Sequence, residues 1–481
     1  MAVRSRSRLR RQPAEADVRP DSRLSFFDQA AFASLRATGR HQLMQGVWIY
    51  EHPIDMAGVR RFHDNIGFGL FGRLIERSAL PFGRDRWVAA LGPTSTLDIA
   101  ETARPREELT DWIDERAELP VDPEYGPGWH VGVQSFTDGS TAVSLVGSHC
   151  LGDGVGAMVS VFDAVNGTRP DFGHPPARSR TRRQAIRADA AETVRALPEL
   201  ARTLGRAAKL VTQRRHDIAR AGEPQGLTAG TPAAADAAAD AAADAAAAAD
   251  DEPVILPFTT VFVPTEAWDG RAGALGGNSF SLVAGFGAKL AERIGRRRAD
   301  DGCVTLLIAV NDRTPADTRA HALRIAKVAI DPEPVTRDLS GARTAVKAAI
   351  TAVRDTPDEA LQILPLVPFI PKRVMKRLAQ VFVGAADLPV ACSNVGDMPP
   401  QIARLDGTDA EYCFQRGVDQ NVTRGAMERD HGQLVLVSSR TGGKIAINIL
   451  AYQPGAANSK PWLRDLATRT LADFGLTGTV L

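Results

Sequence analysis

The chain has almost no net charge: across its 481 residues, 58 lysines and arginines face 57 aspartates and glutamates. That balance gives no footing for bulk binding to nucleic acid. Cysteine is scarce, and the four present (Cys150, Cys303, Cys392 and Cys413) show no C-x-x-C spacing. This argues against a zinc site or a disulfide scaffold and fits a reducing compartment. No stretch reaches the roughly 18 uninterrupted apolar residues of a membrane span. The nearest, Leu361 to Pro371, is interrupted by Pro365, Pro368 and Pro371. Met1 to Arg11 is rich in arginine but lacks the apolar run of a secretory signal. The expectation is a cytoplasmic protein, with peripheral contact to the inner face of the membrane left open. Neither G-x-S-x-G nor H-E-x-x-H occurs, so no nucleophile elbow or zincin helix is in view.

What the chain does have is one abrupt change of composition. Thr228 to Glu252 is nearly all alanine and aspartate, with Asp236, Asp240 and Asp244 four apart. Alanine favours helix, but aspartates at i,i+4 repel and no apolar face is offered. A disordered linker over 221–252 is expected. It separates an N-terminal subdomain, 23–220, from a C-terminal one, 253–481, and a basic tail, 1–22, precedes both. Periodicity places helices near Ser25–Ala37, Met56–Asn65 and Arg106–Glu118, and strands at Gln45–Tyr50 and Thr141–Ser148. The second half reads as a strand at Pro257–Val263, a helix over Phe280–Arg293, and a strand at Val304–Val310. A helix over Gly341–Val353 and a strand near Val390 follow. Thr441-Gly442-Gly443 joins Leu434–Ser438 to Lys444–Ala451 as a hairpin, and a last helix runs from Pro461 toward Phe474. Mixed α/β elements in both halves point to two subdomains sharing a cleft.

The most informative stretch is Ser148-His149-Cys150-Leu151-Gly152-Asp153-Gly154. A hydrophobic strand delivers an imidazole to a tight turn, and a helix begins at Asp153 with Val155, Met158, Val159, Phe162 and Val165 at helical spacing. A neutral imidazole can take a proton from an alcohol or amine at physiological pH if one tautomer and rotamer are held. Asp153 can cap the helix or pair with an arginine, and Gly152, Gly154 and Gly156 permit close backbone approach. A lone histidine before a helix is also a common structural residue. Cys150, beside it, reads as a small apolar filler. Gly67-Phe68-Gly69-Leu70-Phe71-Gly72 spells G-x-G-x-x-G, but it follows a helical pattern and lacks the acidic partner of a dinucleotide site.

The stretch resembles the HHxxxDG motif of the superfamily of condensation domains and wax ester synthase/diacylglycerol acyltransferases, whose fold is like chloramphenicol acetyltransferase. His149 matches the second, catalytic histidine, and Asp153 and Gly154 match the DG; Ser148 replaces the first histidine. Pro120-Val121-Asp122-Pro123 with Gly126-Pro127-Gly128-Trp129 is similar to a degenerate PLD…PLW segment. Ala309-Val310-Asn311-Asp312-Arg313 is similar to the strand whose arginine pairs with the motif aspartate, and Ser393-Asn394-Val395-Gly396-Asp397 resembles SNVPGP. The resemblance covers Ser25 to the C-terminus.

It implies an α/β fold of two chloramphenicol-acetyltransferase-like subdomains, each a mixed sheet with flanking helices, around a cleft or tunnel. It further implies an O-acyltransferase with no bound cofactor or metal. The acyl group would pass from acyl-CoA to a hydroxyl acceptor such as diacylglycerol or a long-chain alcohol, with His149 as general base and no covalent intermediate. Asp153 would point away from His149 and pair with Arg313, and Ser393 and Asn394 are candidates for oxyanion or substrate contacts. A condensation-type enzyme using a carrier-protein thioester or a glycolipid or polyketide acceptor is the alternative, and a lipid-binding relative without activity the second. Ala177–Arg220, with twelve basic and four acidic residues, and Leu361–Leu378, with Lys372, Arg373, Lys376 and Arg377, are candidates for contact with a membrane or lipid droplet. The alternative for both is a helix packed on its own domain with a solvated face.

Overall fold

The computed structural model describes residues 21–221, 251–314, 317–355, 361–371, 375 and 388–481, with backbone alone for 206–221 and 361. The first half carries β1 (His41–Tyr50), β2 (Arg73–Glu76), β3 (Arg86–Ala89), β4 (Asp98–Ile99), β5 (Trp129–Ser135) and β6 (Thr141–Ser148). The second half carries β7 (Phe258–Pro264), β8 (Val304–Asn311), β9 (Leu323–Ile330), β10 (Val390–Asp397), β11 (Tyr412–Gln420), β12 (Gln433–Thr441), β13 (Lys444–Tyr452) and β14 (Thr479–Val480). They build a five-stranded sheet, β11-β1-β6-β5-β4, and a seven-stranded sheet, β14-β7-β13-β12-β10-β8-β9, beside the small β2-β3 hairpin. Both large sheets are mixed: β4 runs parallel to β5, and β10 runs parallel to both β8 and β12. The two-lobed α/β architecture is therefore the one expected.

Local chemistry explains the elements that reach the site. The first helix, Phe26–Thr38, starts at Ser25, whose side chain accepts from the Asp28 N–H, and ends on Gly39 in the left-handed region at φ 73°, a conformation that costs glycine nothing. Every residue of β6 is buried, so the strand is covered on both faces and fixed in register between β1 and β5. In the helix Gly154–Val165 the buried face is Ala157, Met158, Val161 and Ala164, whereas Val159 is exposed. The inward stripe is thus rotated from the one read off the valines.

The sheets do not divide where the composition changes. Residues 253–481 were expected to form one subdomain, yet β11 leaves that half and pairs antiparallel with β1 along nine residues, from His41↔Gln420 to Ile49↔Tyr412. Hydrogen bonding gives the reason: β1 would otherwise present an unpaired edge, and Arg416 from β11 is buried against Asp114 at 2.8 Å and Gln45 at 2.7 Å. The expected bounds also shift at the ends. Ser22 accepts from the Trp87 N–H, and Asp251 accepts from the Thr423 hydroxyl and the Gly425 N–H. Most of the Ala/Asp stretch and of the basic tail lies outside the described residues, as do Lys372, Arg373, Lys376 and Arg377.

Ala177–Arg220 largely becomes one helix, Arg182–Ala221. Asp189, Leu200 and Thr203 pack inward while Ile186, Val194, Leu197 and Leu204 stay exposed. Among the described residues, no helix is long and apolar enough to cross a membrane. Two of the G-x-G-x-x-G glycines serve close packing, a Cβ at Gly67 lying 2.2 Å from the Gly92 carbonyl oxygen and one at Gly72 2.7 Å from that of Gly67, while Gly69 takes a positive φ of 61°.

Candidate active site

A cavity of about 320 Å³ lies where the two sheets meet, lined by β1, β6 and β11 on one side and β8, β10 and β12 on the other. His149 stands in its wall beside Asp153 and Gly154, and Ser393 and Asn394 line it from β10. Leu43, Met44, Val155, Met158, Val161 and Val435 make much of the rest apolar. The fold therefore gathers His149, Asp153, Gly154, Ser393 and Asn394 at one place, from residues that lie far apart in sequence.

Backbone hydrogen bonds pin the turn that carries His149. Its N–H donates to the Gln42 carbonyl at 2.9 Å, the Ser148 N–H to Gly128 at 3.0 Å, and the Asp153 N–H to Ala320 across the lobes at 2.9 Å. The Pro120–Trp129 segment supplies the Gly128 anchor, and the Trp129 indole N–H is held by the Phe71 carbonyl at 3.0 Å. Ser148, where the motif has its first histidine, meets the Nε2 of His41 at 2.8 Å. An imidazole from β1 thus occupies the space beside the serine. Cys150 is buried, and burial pushes its thiol up to about 12, so it stays protonated and packs as a filler.

Asp153 and Arg313 form the cross-lobe pair, Oδ2 to guanidinium at 2.9 Å, both nearly fully buried. Asp153 also accepts from the Gly156 N–H at 2.7 Å, capping the helix, and from the Ala322 N–H at 2.8 Å. Arg313 donates in addition to the carbonyls of Asp317, Arg319 and Ala320. One carboxylate and one guanidinium thus tie the motif turn to the loop between β8 and β9, where the charged pair stays buried because both carboxylate oxygens and both terminal guanidinium nitrogens are hydrogen-bonded, Arg313 Nε alone lacking a partner among the described residues. Asp153 does not orient the His149 ring.

Another pair does. His149 Nδ1 lies 3.0 Å from His321 Nε2, with the two rings stacked at 10° and 5.1 Å between centroids. His321 Nδ1 lies 2.9 Å from Asp28 Oδ1. Asp28 also accepts the backbone N–H groups of Ala320 and His321, at 3.1 Å and 2.8 Å. Burial would raise the Asp28 carboxyl, but the hydrogen bonds from His321 outweigh it and hold it below the ordinary carboxylate range. Sequence reading missed both residues. Asp28 looks like a first-turn helix acid and His321 sits in a loop without a motif; the only signal was two titratable groups with no assigned task. His149 itself is lowered to about 4, by burial first of all, so it is neutral at physiological pH.

On the β10 side, the Asn394 side-chain oxygen accepts from the Gly396 N–H at 3.1 Å and the Ser438 hydroxyl at 3.2 Å. Among the described residues its Nδ2 has no partner, and neither has the Ser393 hydroxyl. Both donors remain available to a bound group.

No family model matches the sequence, and no curated protein does either. Solved structures share the fold. The chain is similar to the first condensation domain of the calcium-dependent antibiotic synthetase, in complex with a substrate analogue, at 14% identity over 96% of this chain and 98% of that one, with a TM-score of 0.55. It is similar to the wax ester synthase/diacylglycerol acyltransferase from Marinobacter aquaeolei VT8 at 14% identity over 94% and 98%, TM-score 0.51. It is also similar to polyketide synthase associated protein 5 from Mycobacterium tuberculosis at 12% identity over 94% and 98%, TM-score 0.51. The chain thus has the two-lobed fold of condensation domains and of a wax ester synthase/diacylglycerol acyltransferase.

Proposed function

We propose that this protein is an acyltransferase that moves an acyl group, long-chain in the reading the apolar cavity favours, from acyl-CoA to a hydroxyl acceptor such as diacylglycerol or a long-chain alcohol. The observation that carries this is a neutral imidazole in the wall of an inter-sheet cavity, with one ring nitrogen tied back and the other without a partner among the described residues. His149 Nε2 takes the acceptor's hydroxyl proton as its oxygen attacks the thioester carbonyl. The Asn394 amide and Ser393 hydroxyl are donors for the tetrahedral oxyanion. The intermediate collapses with cleavage of the C–S bond, and the proton on His149 passes to the leaving thiolate. An ester and a free thiol result, with no covalent enzyme species and no cofactor.

The test is thiol release and product identification with acyl-CoA and a panel of acceptors, set beside carrier-bound thioesters. His149→Ala is expected to lower turnover by about 10²- to 10⁴-fold, the contribution of a positioned base. Equal turnover in the two proteins would dispose of the base. Activity only with carrier-bound donors would make this a condensation-type enzyme, and saturable lipid binding without turnover would make it a binding protein.

The helix Arg182–Ala221 supports peripheral contact with an anionic lipid surface. Val194, Leu197 and Leu204, 63%, 53% and 58% exposed, are flanked by the exposed Arg183, Arg187, Arg195 and Arg202. Basic residues and exposed leucines on one helix suit an interface of headgroups and acyl chains. Sedimentation with vesicles containing anionic lipid is expected, weakened several-fold in Leu197→Ser/Leu204→Ser and absent with zwitterionic vesicles. Equal sedimentation of the variant and wild type would remove this helix from the interface.

A further inference from the structure

We infer that Asp28 and His321 form a positioning relay that fixes the tautomer of His149 and receives the positive charge formed when His149 accepts a proton. The inference deepens the acyltransferase reading and rests on it for the reaction. Its structural part stands alone.

The tautomers follow from donors and acceptors. An ionised carboxylate only accepts, so His321 Nδ1 must carry the proton that reaches Asp28 at 2.9 Å. In neutral His321 the other nitrogen, Nε2, then has a lone pair. It faces His149 Nδ1 at 3.0 Å, so His149 must donate there and carries its hydrogen on Nδ1. The lone pair of His149 is thereby left on Nε2, the nitrogen without a partner. The chain Asp28–His321–His149 thus selects the basic tautomer without any contact from Asp153.

The same chain handles charge. A proton taken on Nε2 makes His149 an imidazolium in a desolvated wall, where an unpaired charge is costly. Sharing the Nδ1 hydrogen with His321 Nε2 moves that charge to a ring already hydrogen-bonded to a buried carboxylate. Around this chain stand Arg73, whose charge acts on Asp28, and Asp153, Arg313 and Arg319. Arg73 is fixed by the Leu151 carbonyl at 2.9 Å and by the Trp87 ring at 3.7 Å. Asp153 and Arg313 neutralise each other, and Arg319 is held by Asp317.

Two substitutions of His321 separate this role from a merely structural one. In His321→Asn the amide nitrogen lies where Nδ1 did and can still meet Asp28, but the shorter side chain does not reach His149. In His321→Gln the longer amide can offer its oxygen to His149 Nδ1–H while losing Asp28. The relay predicts that kcat/KM falls about 10²-fold or more in His321→Asn and less in His321→Gln. A structural role would give the reverse order of activities.

Side-chain nitrogen NMR of histidine-labelled protein reads the tautomer directly. Wild-type His149 is expected as the Nδ1–H form, and His321→Asn as a mixture. Wild-type kcat/KM in His321→Asn, or an Nε2–H tautomer for His149 in the wild type, overturns the relay. Should wild type itself turn over no thioester, the acyltransferase reading falls, and the tautomer measurement alone decides the relay.

Discussion

Between pH 7 and about pH 4 the protein is expected to lose most of its stability, because it buries imidazoles that resist protonation. His41, His130 and His174 are each less than a tenth exposed, and burial first of all lowers each to about 4. Nearby arginines add to the effect: Arg116 donates to His130 Nδ1 at 2.9 Å and so occupies the lone pair a proton would need. Among the described residues the remaining ring nitrogens of His130 and His174 have no partner, which leaves an extra proton nothing to bond. In the unfolded chain the same rings titrate near pH 6.5. Between these two values the unfolded state binds more protons, so stability falls as the pH falls and is fully present only above the unfolded pKa.

Each ring is worth on the order of 3 kcal/mol across that window, and three of them rival the roughly 5–15 kcal/mol by which a domain is stable. Asp85, raised by burial, works in the opposite direction. Asp28 and Asp317, both held low, lose their contribution only below the ordinary carboxylate range. Tryptophan fluorescence in denaturant at pH 7 and pH 5 measures the effect. His149, lowered to about 4 as well, adds a fourth ring, so His174→Gln is expected to flatten the slope by about a quarter, and a pH-independent midpoint would show that these rings do not stay neutral.

The parts of the fold that were legible in the sequence are those set by local chemistry. Ser25 as a cap, β6 as a buried run bounded by a turn, and the helix beginning at Asp153 each rest on a signal within a few residues. The Asp153–Arg313 pair was reached only through the family resemblance, since no spacing rule joins residues 160 positions apart. What stayed hidden is long-range by nature. The strand β11, Tyr-Cys-Phe-Gln-Arg-Gly-Val-Asp-Gln, carries arginine and aspartate where a strand pattern wants apolar residues. It becomes a strand because β1 offers an edge and Asp114 neutralises Arg416. The segment Trp129–Ser135 carries a strand's alternation, Trp129, Val131 and Val133 against His130, Gly132 and Gln134, but it is short and follows a proline- and glycine-rich turn, and burial of both its faces is set by the sheet around it. Asp28 and His321 lie 293 positions apart, and neither belongs to the motif around His149. Their meeting is a property of the two sheets' arrangement and not of either segment.

Cutting the Asp153–Arg313 pair is expected to be the most damaging single change to the folded state. Arg313→Met removes the partner of a carboxylate that is almost wholly buried, and at the same stroke it strips the donor from the Asp317, Arg319 and Ala320 carbonyls. Breaking one side of a buried pair costs about 3–5 kcal/mol, since the remaining charge is left uncompensated. Asp153→Asn should cost less, because its amide oxygen can keep the cap on Gly156. Its NH2 then stands where one oxygen accepted from both Arg313 and the Ala322 N–H, donor against donor.

The loop that Arg313 holds includes His321, so the loss reaches the base without touching it. Arg313→Met is therefore expected to lower activity as well as stability, and to release the tautomer of His149. In a double-mutant cycle with Asp153→Asn the two changes should fall short of additivity by about 0.5–3 kcal/mol, as neighbours sharing one network do. Strict additivity in denaturant midpoints, with His149 still held as the Nδ1–H form, would mean that the pair does not carry the cross-lobe tie and that Asp28 alone keeps His321 in place.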